Sequence, residues 1–168
     1  MKVFQSHDIT EDHSGAVVTA VWRSVFALFL AMQPASAQIN RAKITILQGT
    51  ELLHQCSRET PPSADGTWNP TLSDVQKFEA LLPSMLFERG SRLDVQRVLN
   101  QSARQYAGFI RNGRRYLYGS FFPADLTRAA PEWRTKAIAV CDGGPSVFGL
   151  EMDFENGTIS HLSFNGHA

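Results

Sequence analysis

The chain has 168 residues, and its 16 Lys and Arg residues balance its 16 Asp and Glu residues. Because the formal net charge is zero, no overall attraction to nucleic acid or to an acidic membrane surface is expected. A chain of this length, with 43% hydrophobic residues, is sufficient for one ordinary domain with its own core.

Residues 1–37 predict a polar leader followed by a cleaved secretory signal peptide. Arg23 precedes an apolar run over residues 25–32, and Ala35-Ser36-Ala37 ends the region in an A-x-A pattern. A membrane-spanning helix would need about 20 apolar residues, and Arg23 interrupts this run. We therefore expect cleavage after Ala37, a single globular domain over residues 38–168, and a periplasmic or secreted location.

The predicted mature domain contains the only two cysteines, Cys56 and Cys141. An even number of cysteines in an exported chain favours a disulfide. A catalytic thiol at Cys141 is disfavoured, because the adjacent carboxylate of Asp142 would raise the pKa of the thiol. The glycines Gly143 and Gly144 could form an anion-binding nest, but a tight turn between strands is the preferred interpretation.

Up to residue 102 the patterns predict one strand and one principal helix. An apolar patch at residues 44–53 indicates a strand followed by another strand or a helical turn, and residues 60–66 form a loop. Thr71 and Asp74 form a variant of the capping box, which begins a helix with an apolar stripe. Pro83 should end or kink this helix. A second short helix is predicted around residues 93–99. The stripe consists of Leu72, Val75, Phe78, Leu81 and Leu82.

From residue 104 onward the chain predicts antiparallel strands. Asn112-Gly113 lies between apolar runs at residues 106–110 and 116–118, which is a strong hairpin signal. Residues 137–140 predict a further strand. Residues 148–155 alternate between apolar and polar side chains, which predicts a strand with one face on the core and one in water. Asn156-Gly157 predicts another hairpin turn before the last strand over residues 159–164.

These elements together predict an α+β fold in which one main helix packs on an antiparallel sheet of four or five strands. Their order resembles that of cystatin-like or NTF2-like folds. The resemblance concerns architecture alone, and architecture does not determine function.

Five short phrases also occur together across most of the predicted mature domain: Leu53-His54-Gln55-Cys56-Ser57-Arg58, Trp68-Asn69-Pro70-Thr71, Gln105-Tyr106-Ala107-Gly108, Val140-Cys141-Asp142-Gly143-Gly144 and Phe164-Asn165-Gly166. Their arrangement resembles small exported bacterial proteins of uncharacterised function. The resemblance supports an envelope location and implies no catalytic residues.

Four arginines, interleaved with aromatic residues, form the best candidate binding surface. Arginine guanidinium groups bind phosphate and carboxylate groups well, so this hairpin could hold an anionic polymer or lipid headgroup. The alternative is that the aromatics form cross-strand pairs while the arginines keep the hairpin tip soluble. The four residues are Arg104, Arg111, Arg114 and Arg115.

Glu151, Asp153 and His161 are the candidate acid–base residues. The two acids share one face of the predicted strand, although a solvated sheet surface would explain them without catalysis. Calcium is disfavoured, because Gly157 comes one position late and Leu162 occupies the last ligand position of such a loop. The histidines lack zinc-binding spacing, so we expect no metal and no cofactor.

We therefore expect a non-enzymatic binding or inhibitor-like module whose partner is an envelope protein or an anionic ligand. One alternative is a small hydrolase or isomerase that uses the acid–base residues in a pocket between helix and sheet. The other is a binder of polyanions or lipid headgroups through the arginine-rich hairpin. Nucleic acid is not an expected partner, and no membrane span is expected after processing.

Overall fold

The computed structural model describes residues 39–88 and 93–166, so the predicted leader and signal peptide lie outside the described residues. The described residues form an α+β fold with three α-helices and one six-stranded mixed sheet. The strands are β1 (Ile44–Ile46), β2 (Gly66–Trp68), β3 (Ser102–Arg111), β4 (Arg114–Pro123), β5 (Phe148–Asp153) and β6 (Thr158–Phe164). The helices are α1 (Leu72–Glu88), α2 (Val95–Gln101) and α3 (Leu126–Ala129). Within these ranges, no helix combines the length and the apolarity needed to cross a membrane.

The hairpin of β3 and β4 is the longest paired unit and lies at the centre of the sheet. Its strands pair from Ser102 opposite Pro123 to Arg111 opposite Arg114. Asn112 and Gly113 connect them with φ angles of 51° and 74°. Positive φ at both positions is what a two-residue turn of this hand requires, so the predicted hairpin is confirmed.

The remaining strands add to both sides of this hairpin. On the β4 side, β5 and β6 follow in antiparallel order. On the other side, β3 pairs with β1 in parallel over residues 104–106 and with β2 in antiparallel over residues 108–110. The predicted sheet of four or five antiparallel strands is therefore corrected to a mixed one. Strands of three residues are too short to show a period in the sequence.

Helix α1 covers one face of the sheet and forms the principal core. Thr71 and Asp74 cap its start reciprocally: the Thr71 N–H donates to Asp74 Oδ2 at 2.7 Å, and the Asp74 N–H to Thr71 Oγ1 at 3.3 Å. The predicted stripe is confirmed, because its members Val75, Phe78 and Leu82 are at most 1% exposed. They pack against apolar side chains of the sheet, which include Tyr106, Leu117, Phe121, Leu150 and Met152.

Pro83 was predicted to end or kink the helix; it lies inside α1, so the helix does not end there. A proline in a helix interior costs about 3 kcal/mol, because it removes one hydrogen bond and crowds the preceding turn. The next turn buries Met85 and Leu86 in the principal core, each 2% exposed. Burying two side chains of this size contributes about 1.5–3 kcal/mol each, which offsets the cost of the proline.

Two loop-rich segments, residues 47–64 and 124–147, cover the opposite face of the sheet, which we call the far face. Leu47, Leu52 and Leu53 pack there against Phe109 and Tyr118. Trp133 and Val147 pack against Ala103 and Phe122 in a neighbouring cluster. The far face therefore has an apolar cover made largely of loops.

Residues 137–140, predicted as a strand, do not join the sheet. The Ile138 N–H donates to the side-chain oxygen Oε1 of Gln105 at 2.8 Å, in place of a strand partner. Ile138 and Val140 instead pack against the far-face cluster around Trp133. The apolar run in the sequence thus reflects burial under a loop and not strand pairing.

A disulfide between Cys56 and Cys141 joins the two covering segments. Hydrogen bonds of Arg58, which is 7% exposed, connect the same two segments as the disulfide. The Arg58 guanidinium donates to Ser120 Oγ at 2.8 Å and to Asn165 Oδ1 at 2.9 Å. The side-chain amide of Asn165 in turn donates to the carbonyl of Asp142 at 3.0 Å. Covalent and polar links therefore hold the same two segments together.

The stretch after Cys141 forms the predicted turn. Gly143 and Gly144 have φ angles of 105° and 51°, and residues 144–146 form a short 3-10 helix before β5. The Gly144 N–H donates to the carbonyl of Gly166 at 3.1 Å. Because this N–H already has an acceptor, a nest for an external anion lacks one of its donors.

We predict that replacing both cysteines by serine lowers the free energy of unfolding by about 4.5 kcal/mol, because the cross-link restricts a long loop of the unfolded chain. Urea denaturation of the double variant and of the oxidised wild type measures this difference. The reduced wild type is the matched control and should lose a similar amount. Equal stability of oxidised and reduced wild type would contradict the prediction.

Candidate functional site

The structure brings three of the four candidate arginines together with carboxylates of β5 and the residues that follow it. Arg111 pairs with Glu151, Arg114 pairs with Asp153, and Arg115 pairs with Glu155. We call these three pairs the arginine–carboxylate ladder. Glu151 and Asp153, which the sequence presented as candidates separate from the arginines, therefore pair with two of those arginines.

Arg104 lies apart from the ladder, on the face that α1 covers. It is 1% exposed, and its Nε donates to Glu79 Oε1 of α1 at 2.8 Å. Its Nη1 donates to the carbonyls of Leu99 and Ser102 at 2.6 and 2.9 Å. Tyr106 donates its hydroxyl hydrogen to the same Glu79 oxygen at 2.7 Å. Arg104 therefore ties α1 and α2 to β3 from within the core.

The pair of Arg111 and Glu151 is the buried end of the ladder. The side chain of Arg111 crosses the ring of Tyr116, 4.2 Å from its centroid, and reaches Glu151 two strands away. Glu151 is fully buried and also accepts a hydrogen bond of 2.7 Å from the Ser160 hydroxyl. A buried carboxylate with both a cationic and a hydroxyl partner satisfies the usual condition for a charge inside a protein.

The other two pairs are progressively more exposed. Asp153 is 6% exposed, whereas the side chain of its partner Arg114 is 47% exposed. Arg115 donates through Nε to Glu155 Oε1 at 3.1 Å, with the two side chains 47% and 41% exposed. The hydrogen bond from Arg115 holds the pKa of Glu155 below its ordinary value. Exposure therefore increases from the pair of Arg111 and Glu151 to the pair of Arg115 and Glu155, although all three arginines lie near the tip of the β3–β4 hairpin.

Glu151 and Asp153 are therefore not on a solvated surface, and that sequence-based expectation is corrected. Their strand alternates as predicted, with Leu150 and Met152 in the principal core. The other side of the strand is also buried: Arg111 reaches Glu151, and Arg58 lies against Gly149. Alternation distinguishes the two faces of a strand but does not show that the polar face meets water.

His161 lies opposite Glu151 in the pairing of β5 with β6. Its ring nitrogen Nε2 lies 3.0 Å from the backbone carbonyl oxygen of Glu59. The imidazole is therefore engaged with the segment next to Arg58 and not with Glu151. The three candidate acid–base residues do not converge on one point.

A cluster of cationic and aromatic side chains, not predicted from the sequence, surrounds the exposed end of the ladder. The guanidinium of Arg115 lies 5.2 Å from the ring centroid of Trp68 and 5.1 Å from that of Phe154. Lys77 of α1 places its ammonium 4.6 Å from the Phe154 ring. We call the partly exposed residues Trp68, Lys77, Arg115 and Glu155 the hairpin-tip surface.

The short strand β2 positions Trp68 on this surface. Trp68 pairs with Gly108 of β3, and its indole N–H donates to the Tyr116 carbonyl at 3.0 Å. Gly108 is required there, because a Cβ atom would lie 2.5 Å from the Trp68 carbonyl oxygen and 2.7 Å from the indole nitrogen. No local pattern in the sequence indicates this contact, since Trp68 and Gly108 meet only through strand pairing.

No protein-family model, curated protein or solved structure matches the chain. Among residues 39–88 and 93–166, no group of three or more His, Cys, Asp or Glu side chains could hold a metal ion. The geometry of the site therefore shows what it offers to a ligand: paired charges, two exposed cations and an aromatic surface beside them.

We predict a graded response to removal of the ladder arginines. Arg111→Met should lower the free energy of unfolding by about 3 kcal/mol, because it leaves the buried carboxylate of Glu151 without its cationic partner. Arg115→Met, the matched exposed variant, should cost less than about 1 kcal/mol. Chemical denaturation at neutral pH measures both values. Equal losses in the free energy of unfolding for the two variants would contradict the prediction that the buried pair contributes more than the exposed pair.

We also predict that the protein loses stability as the pH rises above about 10, the ordinary pKa of tyrosine. Burial, assisted by the charge of Glu79, raises the pKa of Tyr106 well above this value, and burial raises that of Tyr118. The unfolded chain releases these protons first, so stability is unaffected below this pH and falls above it. Tyrosinate absorbance and circular dichroism should show two tyrosines ionising only as the fold is lost. Their ionisation in a folded chain would contradict this account.

Proposed function

We propose that the protein is an exported, non-enzymatic binding module that contacts a partner in the cell envelope through the hairpin-tip surface. The observation that carries this proposal is the placement of the candidate groups. Glu151 and Asp153 lie on the far face, away from the interface of α1 with the sheet, and both are paired with arginines. At the hairpin tip, by contrast, the half-exposed side chain of Arg115 lies beside Trp68.

The packing between α1 and the sheet argues against a catalytic pocket at this interface, and therefore favours the binding function over the hydrolase or isomerase. Phe78, Leu117 and Phe121 fill it, and each has no exposed surface. A hydrolase or isomerase pocket at this place would need polar groups that converge on a substrate. The ionisable groups there are Glu79 and Arg104. They are hydrogen-bonded to each other, and Glu79 also accepts a hydrogen bond from Tyr106.

The hairpin-tip surface has the composition of a protein-binding site. Trp, Tyr and Arg are the residues that most often dominate the binding energy of protein interfaces. Trp68 offers a rigid, partly exposed ring, and Arg115 and Lys77 add charge around it. An acidic segment of a partner protein would complement the exposed cations, while the ladder carboxylates fix the direction of the arginines.

Export is proposed on two grounds. The first 37 residues have the pattern of a polar leader and signal peptide. The disulfide between Cys56 and Cys141 is compatible with an extracytoplasmic location, where disulfides persist.

We further propose a cystatin-like or NTF2-like architecture. Its support is that α1 precedes a continuous antiparallel run from β3 to β6 and packs on one face of that run. The parallel strand β1 is an addition to that order.

The second candidate function is binding of a polyanion or a lipid headgroup. The half-exposed side chains of Arg114 and Arg115 favour it. The ladder opposes it, because each of its three arginines is matched by one carboxylate, so the ladder adds no net charge. A polyanion relies on net positive charge, whereas a protein partner would also contact the ring of Trp68.

We predict that the double charge reversal Lys77→Glu/Arg115→Glu abolishes capture of one specific envelope protein by the tagged mature chain. Arg128→Glu, at an exposed position of α3, should leave capture unchanged. Cross-linking followed by mass spectrometry identifies the partner. Its contact peptide should be acidic and should link to residues near Trp68.

Two outcomes would contradict the proposal. In one, the partner is retained by the double variant as strongly as by Arg128→Glu. In the other, the wild type captures no partner, but its retention on heparin or on vesicles with anionic lipid falls sharply with Arg114→Glu/Arg115→Glu. The latter result would establish the second candidate function.

A further inference from the structure

The chain contains three Asn-Gly steps, and the structure places them in three different environments. They are Asn112-Gly113, Asn156-Gly157 and Asn165-Gly166. In such a step the glycine backbone nitrogen can attack the asparagine Cγ, since glycine has no side chain to hinder the approach. The new N–C bond closes a succinimide ring, and the side-chain nitrogen leaves as ammonia. Water then opens the ring at either carbonyl, giving aspartate or isoaspartate.

Asn112 has the environment that favours this reaction. It lies exposed at the tip of the β3–β4 hairpin, and Gly113 is exposed as well. The Asn112 backbone N–H donates to Asp65 Oδ2 at 2.7 Å. Within the described residues, neither the side-chain amide of Asn112 nor the Gly113 N–H has a hydrogen-bond partner. Both reacting groups are therefore accessible to solvent and need break no hydrogen bond before they react.

Asn156 is exposed too, but both of its reacting groups are held. Its side-chain Nδ2 donates to Asp153 Oδ2 at 3.2 Å. The Gly157 N–H donates to the Asp153 carbonyl oxygen at 2.9 Å. Both hydrogen bonds must break before the ring can close, which slows the reaction without excluding water.

Asn165 is the most protected of the three. It is 5% exposed, and its side-chain oxygen accepts from Arg58 at 2.9 Å. Its side-chain nitrogen donates to the carbonyls of Val140 and Asp142. Attack at Cγ would dismantle the polar network beside the disulfide. This step is therefore blocked as long as the far-face loops stay in place.

We propose that Asn112 is a modification site at which the native protein deamidates spontaneously, ahead of the two other Asn-Gly steps. The product places a new carboxylate between Arg111 and Arg114, next to the carboxylate of Asp65. Isoaspartate also lengthens the backbone by one methylene within a two-residue turn. The reaction therefore changes both the charge and the shape of the hairpin tip, and this inference does not depend on the proposed function.

The test is incubation of the oxidised, folded chain at mildly alkaline pH, followed by chymotryptic digestion and mass spectrometry. Cleavage after Phe109 and Tyr116 gives a short peptide that contains only Asn112 of the three asparagines. We expect conversion at Asn112 to be several-fold faster than at Asn156, with none detected at Asn165 over the same period. Ammonia release should equal the summed conversion. The variant Asn112→Gln, which cannot form the five-membered ring, should eliminate most of it.

The matched control is the same chain, reduced and unfolded in urea, in which all three steps should react at similar rates. A native rate at Asn112 that does not exceed that at Asn156 would overturn the proposal. So would conversion of Asn112 in the unfolded chain alone. Reaction at Asn165 in the native chain would show that the network around Arg58 does not protect it, which also contradicts the ranking.

Discussion

The disulfide between Cys56 and Cys141 is the constraint on which the far side of the fold depends. A strand of the sheet is held by a continuous ladder of backbone hydrogen bonds, whereas the two segments that cover the far face are held by isolated turns and short helices. The disulfide and the neighbouring Arg58 network fix the two loop segments relative to each other and to the sheet. Arg58 also lies against Gly149 of β5, two residues from Glu151 of the arginine–carboxylate ladder.

The two faces of the sheet differ in the chemistry of their buried residues. On the α1 face the core is apolar, apart from the self-contained group of Glu79, Arg104 and Tyr106. The far face carries more polar chemistry, and Gly149 illustrates how closely it is packed. A methyl group at Gly149 would overlap the Tyr118 hydroxyl and approach Arg58 Nε to 2.9 Å. The far face is thus specified by close polar contacts, which tolerate little substitution.

Local signals in the sequence predicted the local parts of the fold correctly. The Asn112-Gly113 turn, the Thr71–Asp74 cap and the stripe of α1 each depend on residues that are near one another in the chain. The features that were missed depend on distant residues. Helix α1 continues past Pro83 because the turn that follows is buried. Residues 137–140 stay outside the sheet because the Gln105 side chain takes the place of a strand partner for Ile138.

For the candidate site too, features that depend on neighbouring residues were predicted, and features that depend on distant residues were missed. Arg111, Arg114 and Arg115 were identified from their clustering, and Glu151 and Asp153 from their alternation. Their mutual pairing could have been anticipated from opposite charges on the β3–β4 hairpin and on β5, had the order of these strands been known. Burial of Arg104 and the contact of Trp68 with Gly108 arise only from packing in three dimensions.

We propose that the protein functions with its two sulfurs joined, outside the reducing cytosol. The most direct test is to alkylate the protein as it is taken from its native compartment and to measure its intact mass before and after reduction. The account predicts no alkylation before reduction and two alkylated cysteines after it. Two reactive thiols before reduction would contradict it and would leave Cys141 free for chemistry.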